Sequence, residues 1–297
     1  MNITILGPGA VGSLYAYKLH LAGHSVSLWG RTPSRKIEIT LDDGENIAFN
    51  NQSLEDLKRC DLLIVALKAW QVQSALLPLL THLDNDTIIL FLHNGMGTVD
   101  MLADELTERP VILGTSTHGA LKVNTNTVHH TGNGQTLIGA WNEKGQQCQF
   151  VAEVFDHAFS PTHWHSNIQQ ALWTKLVINC AINPLTAILD CRNGQLTNEE
   201  YRAQLAGIVE EAVCCANFDG VELEASTMLD TVVNVAQSTA QNYSSMHQDI
   251  YNKRQSEIDF INGYVVNIAA KHKIDIPNNL SLYQRIKQIE ASWSHHD

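Results

Sequence analysis

The sequence predicts two domains of different class: an α/β domain with a largely parallel sheet over residues 1–166, then an all-α domain over residues 167–297. Three observations carry this. Short, nearly continuous apolar runs alternate with helix-like segments in the first half, the pattern of strands buried on both faces. A glycine-rich turn, Gly7-Pro8-Gly9-Ala10-Val11-Gly12, joins the first of those runs to the first helical segment. After about Ser166 the strand-like runs disappear and helical periodicity remains.

Ile3-Thr4-Ile5-Leu6 reads as the first strand, Val11 to Ala22 as a helix ending near Gly23, and Ser25 to Trp29 as the second strand. Asp61 to Ala66 and Thr87 to Leu92 read as buried strands, and Val111 to Gly114 as a shorter one. Thr127 to Thr131 and Gln135 to Ala140 flank Gly132-Asn133-Gly134, which predicts a hairpin closing the sheet with antiparallel strands. Segments 167–190, 199–217, 225–242, 246–272 and 281–291 are predicted helices. No linker rich in Pro, Gly or Ser divides the halves, so closely packed domains are expected.

Composition narrows the function classes. With 44% apolar residues the chain can bury a sizeable core, and 17% charged residues exclude a disordered chain or a coiled coil. The net charge of −12 repels nucleic acid and anionic membranes, so neither is an expected partner, and any anionic ligand needs a local positive feature. Cys60, Cys148, Cys180, Cys191, Cys214 and Cys215 show neither CxxC nor metal-finger spacing and read as reduced thiols. The N-terminus lacks a basic region and a long apolar run, so no signal peptide is expected. No apolar stretch reads as long enough to span a membrane, the longest lying around Leu62 to Leu67. A cytoplasmic protein is therefore expected. Histidine pairs such as His20/His24, His129/His130, His163/His165 and His295/His296 lack a full ligand set, so no metal is expected.

The glycine turn sits between strand and helix, the context that gives a GxGxxG pattern its meaning. Gly7 permits the tight turn, Gly9 lets backbone approach a pyrophosphate, and Gly12 lets helix lie close to strand; Pro8, Ala10 and Val11 complete the loop. The helix N-terminus offers N–H donors to phosphate. A Rossmann-type dinucleotide site follows. An NAD site normally ends its second strand with an acid that binds the ribose 2′-hydroxyl. Here Trp29-Gly30-Arg31-Thr32-Pro33-Ser34-Arg35 has none, and a guanidinium suits a 2′-phosphate. NADPH is predicted over NADH, the alternative for Arg31 being a solvated loop arginine. Lys68, in Ala66-Leu67-Lys68-Ala69-Trp70, and Asn94, in His93-Asn94-Gly95-Met96-Gly97, follow later strands and are candidates at the cofactor's edge or plain loop residues.

In the second domain, Lys175, Asn179 and Asn183 recur at i, i+4 and i+8 on a mostly apolar helix. They form one stripe, each step rising about 6 Å. Buried lysine and amide groups are costly without partners, so the stripe either lines a ligand cleft or faces solvent. Pro184 breaks the pattern just beyond it, and Asn193-Gly194 follows the helix. Farther on, Ser245 sits where an N-cap belongs, ahead of a predicted long helix carrying Asp249 and Glu257 on one face. From pattern alone Ser245 reads as a cap and Glu257 as a surface carboxylate.

Taken together, Gly7-x-Gly9-x-x-Gly12, Leu67-Lys68-Ala69-Trp70-Gln71, His93-Asn94-Gly95-Met96-Gly97, Lys175-Leu176-x-x-Asn179-x-x-x-Asn183-Pro184-Leu185-Thr186-Ala187, Ser244-Ser245-Met246-x-Gln248-Asp249 and Glu257-Ile258-Asp259-x-Ile261-Asn262-Gly263 resemble the ketopantoate reductase (2-dehydropantoate 2-reductase) family, from residue 1 to about 290. The resemblance implies reduction of 2-dehydropantoate to (R)-pantoate by NADPH, on the route to pantothenate and coenzyme A. It implies a Rossmann domain, a helical domain like the C-terminal domain of 6-phosphogluconate dehydrogenase, and an active site in the cleft between. It makes Lys175 the catalytic general acid and Glu257 its partner carboxylate. It sets Asn94, Asn179, Asn183, Asn193 and Ser245 around substrate and nicotinamide, and Arg31 and Lys68 near the NADPH phosphates. Alternatives are an NADPH reductase of another 2-oxo acid or an imine, and a non-catalytic NADPH sensor, which would have no need of Lys175 and Glu257. An apolar face on the C-terminal helices could serve a homodimer.

Overall fold

The computed structural model describes residues 1–293. Its contacts divide into two units, Met1–His93 with Thr98–Ile168, and Asn94–Gly97 with the chain from Gln169 onward. The tail pair His295-His296 lies outside the described residues.

In the first unit the chain runs β1 (Asn2–Leu6), α1 (Ala10–Leu21), β2 (Ser25–Trp29), β3 (Lys36–Leu41), β4 (Asn46–Asn51), α2 (Leu54–Lys58), β5 (Leu62–Val65), α3 (Val72–Leu80), β6 (Ile88–Leu92), α4 (Ala103–Leu106), β7 (Val111–Ser116), β8 (Gly119–Lys122), β9 (Thr127–Gly132), β10 (Thr136–Ala140), α5 (Phe150–Ala158) and β11 (Thr162–Trp164). The sheet order is β11-β10-β7-β6-β5-β1-β2-β4-β3-β9-β8. From β7 through β6, β5, β1 and β2 to β4 every pairing is parallel. Every residue of β5 and β6 is buried, as their unbroken apolar sequences require of strands covered on both faces. Strand order reverses beside β1, whose neighbours are β2 and β5, and ligands of open α/β sheets bind at such a switch point.

The expected hairpin across Gly132-Asn133-Gly134 does not form. β9 pairs with β8 and β3, whereas β10 pairs antiparallel with β7 and parallel with β11. The glycine turn instead runs beside the Thr117-His118 connection, where Gly134 N–H donates to His118 Nδ1 at 3.1 Å. That connection spans three residue steps, at most about 11 Å, yet joins strands far apart in sheet order. The sheet therefore curls round α1, whose buried residues Gly12 to Tyr17 and Leu19 meet β1, β2, β3, β8 and β9. Tyr15 survives burial because its hydroxyl bonds Ser116 and Thr136. The hairpin that does form is β8–β9, closed by Asn124 Oδ1 accepting from Asn126 N and Thr127 N.

The second unit holds α6 (Ile168–Leu189), α7 (Glu199–Phe218), α8 (Ala225–Ser238), α9 (Ser245–Tyr251), α10 (Asn262–His272) and α11 (Pro277–Trp293). Its core is drawn from all of them, with Trp173, Val177 and Cys180 of α6 fully buried. Contrary to the sequence reading, α6 is long and apolar enough to cross a membrane. Its most apolar window is 61% buried in this fold, so its hydrophobicity is accounted for as a core helix. The predicted helix over 246–272 is broken: α9 stops at Tyr251, Lys253 takes a left-handed conformation, and a short 3₁₀ turn over Ile258–Phe260 precedes α10. The break is held from a distance by Glu290, whose Oε1 accepts from Ser256 N and Oγ at 2.8 and 2.7 Å.

Candidate active site

In the α/β unit the turn after β1 is made by backbone. Gly7 has φ +97°, and a side chain there would strike Leu67 and the Ala66 carbonyl. A Cβ on Gly12 would sit 2.2 Å from the Gly7 carbonyl oxygen, so α1 can start this close to β1 only with glycine. At Gly9 a Cβ would meet nothing within 4 Å, leaving open space over the turn. Gly9 is the N-cap and supplies no side chain, so the first amides of α1 get no side-chain acceptor from it. Such a terminus suits an anion, and the residues present therefore fit a dinucleotide's phosphates. The neighbouring turns are tied in: Gly7 N–H donates to Trp29 O at 3.1 Å and Ala66 N–H to Leu6 O at 2.9 Å.

Arg31 stands exposed on the loop after β2. That loop is shaped by Asn51, a buried residue of β4. Its Oδ1 accepts from Gly30 N, and its Nδ2 donates to Thr32 O and Ser34 O, each at 2.8 Å. Gln52 Nε2 adds a bond to Gly30 O at 2.6 Å. Lys68 is half-buried after β5 and is the N-cap of a 3₁₀ turn over Ala69–Gln71. Lys122, on β8, escaped the sequence reading. Its Nζ donates to Pro8 O at 3.0 Å, adding positive charge to the glycine turn, and burial lowers its pKa. Only the curl of the sheet brings residue 122 to residue 8, so no local pattern announces it.

In the helical unit, α6 carries the polar stripe. None of its three members is exposed: Lys175 and Asn179 are half-buried and Asn183 is 7% exposed, which disposes of the solvent-facing reading. Burial of the Lys175 ammonium lowers its pKa to about 8, opposed by the negative charge of Glu257. Glu257 itself is 4% exposed, so it is no surface carboxylate. It reaches this position not on the far end of a long helix but at the turn before α10, where its carbonyl accepts from Phe260 N at 3.0 Å. Phe260 O in turn accepts from Met96 N at 2.9 Å, fastening the Asn94–Gly97 loop to this unit rather than to the sheet from which the chain has just emerged.

Ser244, not Ser245, caps α9: its Oγ accepts from His247 N at 3.0 Å. Ser244 Oγ also accepts from Thr186 Oγ1 at 2.8 Å, and it lies 3.4 Å from Asn183 O, so the cap is welded to α6 beside the third stripe residue. Ser245 is the exposed first residue of α9, one position along from its expected role. Asn193 is 7% exposed; its N–H donates to Asn242 O and its Nδ2 to Thr239 Oγ1, both at 2.9 Å. The helical unit thus sets a lysine of lowered pKa in the field of a buried carboxylate, an arrangement able to protonate an oxygen.

Two family models match the chain: "Ketopantoate reductase PanE/ApbA" over residues 3–143 and "Ketopantoate reductase PanE/ApbA C terminal" over residues 167–290. A 2-dehydropantoate 2-reductase of Vibrio cholerae is 51% identical over 294 residues, covering 99% of both chains. The solved structure of a PanE/ApbA family ketopantoate reductase from Ralstonia eutropha superposes with a TM-score of 0.88 at 28% identity, covering 99% of this chain and 100% of that one. A D-mandelate dehydrogenase solved with NADH and anilino(oxo)acetate also gives 0.88, at 24% identity and 98% and 99% coverage, and shares the fold.

Proposed function

The chain belongs to the ketopantoate reductase family, and we propose that it reduces 2-dehydropantoate to pantoate with NADPH, Lys175 donating the proton. The observation that carries the mechanism is the lysine on α6 whose pKa burial lowers to about 8 while Glu257 opposes the shift. A general acid works best with a pKa near the operating pH, and an ordinary lysine at about 10.4 lies well above it.

When bound, the nicotinamide supplies the hydride that reduces the 2-oxo carbon. Charge then develops on the substrate oxygen. Lys175 is protonated below about pH 8, so its ammonium first stabilises that charge and then gives up the proton. Glu257 holds the ammonium electrostatically and opposes its deprotonation by burial. Asn94, Asn179, Asn183, Asn193 and Ser245 offer amide and hydroxyl groups to the carboxylate and hydroxyl of a small acid without adding charge. The glycine turn and the first amides of α1 would hold the pyrophosphate, with Lys68 and Lys122 supplying positive charge nearby. Arg31 would pair with a 2′-phosphate, and no acid ends β2 to prefer the free hydroxyl.

The test is NADPH oxidation by the purified protein with ketopantoate, set beside pyruvate, 2-oxoisovalerate and NADH. Turnover confined to NADPH with ketopantoate is expected. Faster turnover with another 2-oxo acid would contradict the substrate assignment, and equal use of NADH would contradict the role of Arg31.

A further inference from the structure

Pro184 lies inside α6, one residue beyond Asn183. Proline has no N–H, so the carbonyl four residues back, that of Cys180, loses its ordinary helical donor, and the ring crowds that same carbonyl. A fully buried carbonyl in that state is costly. The structure supplies a substitute donor from another element. Asn262 Nδ2, on the first residue of α10, reaches Cys180 O at 3.2 Å.

The same amide group donates to Asn279 Oδ1 at 3.0 Å. Asn279 is anchored in turn, its Nδ2 donating to Ile208 O at 3.0 Å and to Glu211 Oε2 at 2.8 Å, its own N–H to Glu211 Oε2 at 2.8 Å. Asn262 and Asn279 are both fully buried. One side chain therefore joins α6, α10, α11 and, through Asn279, α7. The two acceptors also fix which way the Asn262 amide points, because a carbonyl oxygen turned toward them would meet two more oxygens.

The placement ties this network to the proton donor. Cys180 directly follows Asn179, and the proline that lacks the donor follows Asn183, so two of the stripe residues border the turn with the missing bond. Asn262 follows Glu257 by five residues, through a tight turn fixed by Phe260 N to Glu257 O at 3.0 Å and Ile261 N to Ile258 O at 3.3 Å. We propose that Asn262 is a positioning residue for the Lys175–Glu257 pair: by replacing the donor that Pro184 removes, it locks the turn bearing Glu257 onto the helix bearing Lys175. This rests on the reading of Lys175 as the proton donor.

The test is a double-mutant cycle of Asn262→Ala and Pro184→Ala, reading kcat/KM for ketopantoate against pH together with NADPH affinity. Asn262→Ala is expected to lower kcat/KM by roughly tenfold, the scale on which slight misplacement costs rate. Its alkaline limb should fall below about 8, because Glu257 no longer supports the Lys175 charge as well. NADPH affinity should hold. In the double variant the Pro184→Ala change brings back a backbone N–H for Cys180 O, so much of the loss should be recovered. Should Asn262→Ala yield no folded protein, the cycle is run with Asn262→Ser, whose single hydroxyl can serve only one of the two acceptors. Strict additivity of the two substitutions would overturn the proposal, as would a loss of thermal stability with kcat/KM and its pH profile unmoved. The underlying reading fails separately, if Lys175→Ala keeps wild-type turnover.

Discussion

The glycine turn of the α/β unit is built from backbone, and the polar stripe of the helical unit from side chains. At the turn, chemistry comes from what is missing: no Cβ at Gly7, Gly9 or Gly12, and no side-chain cap on α1. The positions that matter lie within six consecutive residues. Around the stripe, chemistry comes from groups that elsewhere would be exposed, carried on α6 and on the turn before α10. Burial of Lys175 on α6 is what lowers its pKa. A backbone turn is set mainly by local sterics, whereas the groups around the stripe are placed by residues distant in sequence.

Substitutions can break this contrast, and the largest expected effect is in the helical unit. Lys175→Ala should reduce turnover by about 10²- to 10⁴-fold, the worth of a positioned general acid, and leave NADPH binding intact by fluorescence titration. Parallel loss of NADPH affinity would show that the two sites are not separable. Gly12→Ala should do the reverse: its Cβ has no room against Gly7 O, so NADPH binding should fail and stability to urea drop by about 1–3 kcal/mol. A more modest effect is expected of Arg31→Ala, which should weaken NADPH on the order of tenfold, about one charge-assisted hydrogen bond, and spare NADH. Equal weakening of both cofactors would remove the 2′-phosphate from the role of Arg31. The smallest effect separates neighbours: Ser244→Ala should cost about 1 kcal/mol as a lost cap, and Ser245→Ala much less by the same urea titration.

The same contrast explains what the sequence made legible. The glycine turn, β1, α1, β2 and the buried strands follow from local periodicity and local sterics, and the stripe on α6 is a plain i, i+4, i+8 pattern. Legibility ended where long-range contacts decide. The turn at Gly132-Asn133-Gly134 has hairpin composition, but strand pairing sends β9 and β10 to different neighbours. Helical periodicity over 246–272 is real in both halves, yet Glu290, 34 residues from Ser256, holds the break between them. Glu257 looked like a surface carboxylate because no pattern within its own segment shows that it is buried. Lys122, Asn51 and Asn262 act through partners 114, 21 and 82 residues away. The cap of α9 is a miss of another kind: the pattern put it at Ser245, and the hydroxyl that meets His247 N is that of its neighbour Ser244.

The proton-donor role of Lys175 is tested most directly by kcat/KM for ketopantoate against pH, at saturating NADPH, in the wild type and in Glu257→Gln. The donor must be protonated, so the wild-type rate should hold at lower pH and fall as pH rises through about 8. Removing the Glu257 charge removes what opposes the burial shift, so the limb should move to lower pH in the variant. A rate that runs flat through about pH 8, or a limb that Glu257→Gln leaves in place, would contradict Lys175 as the acid.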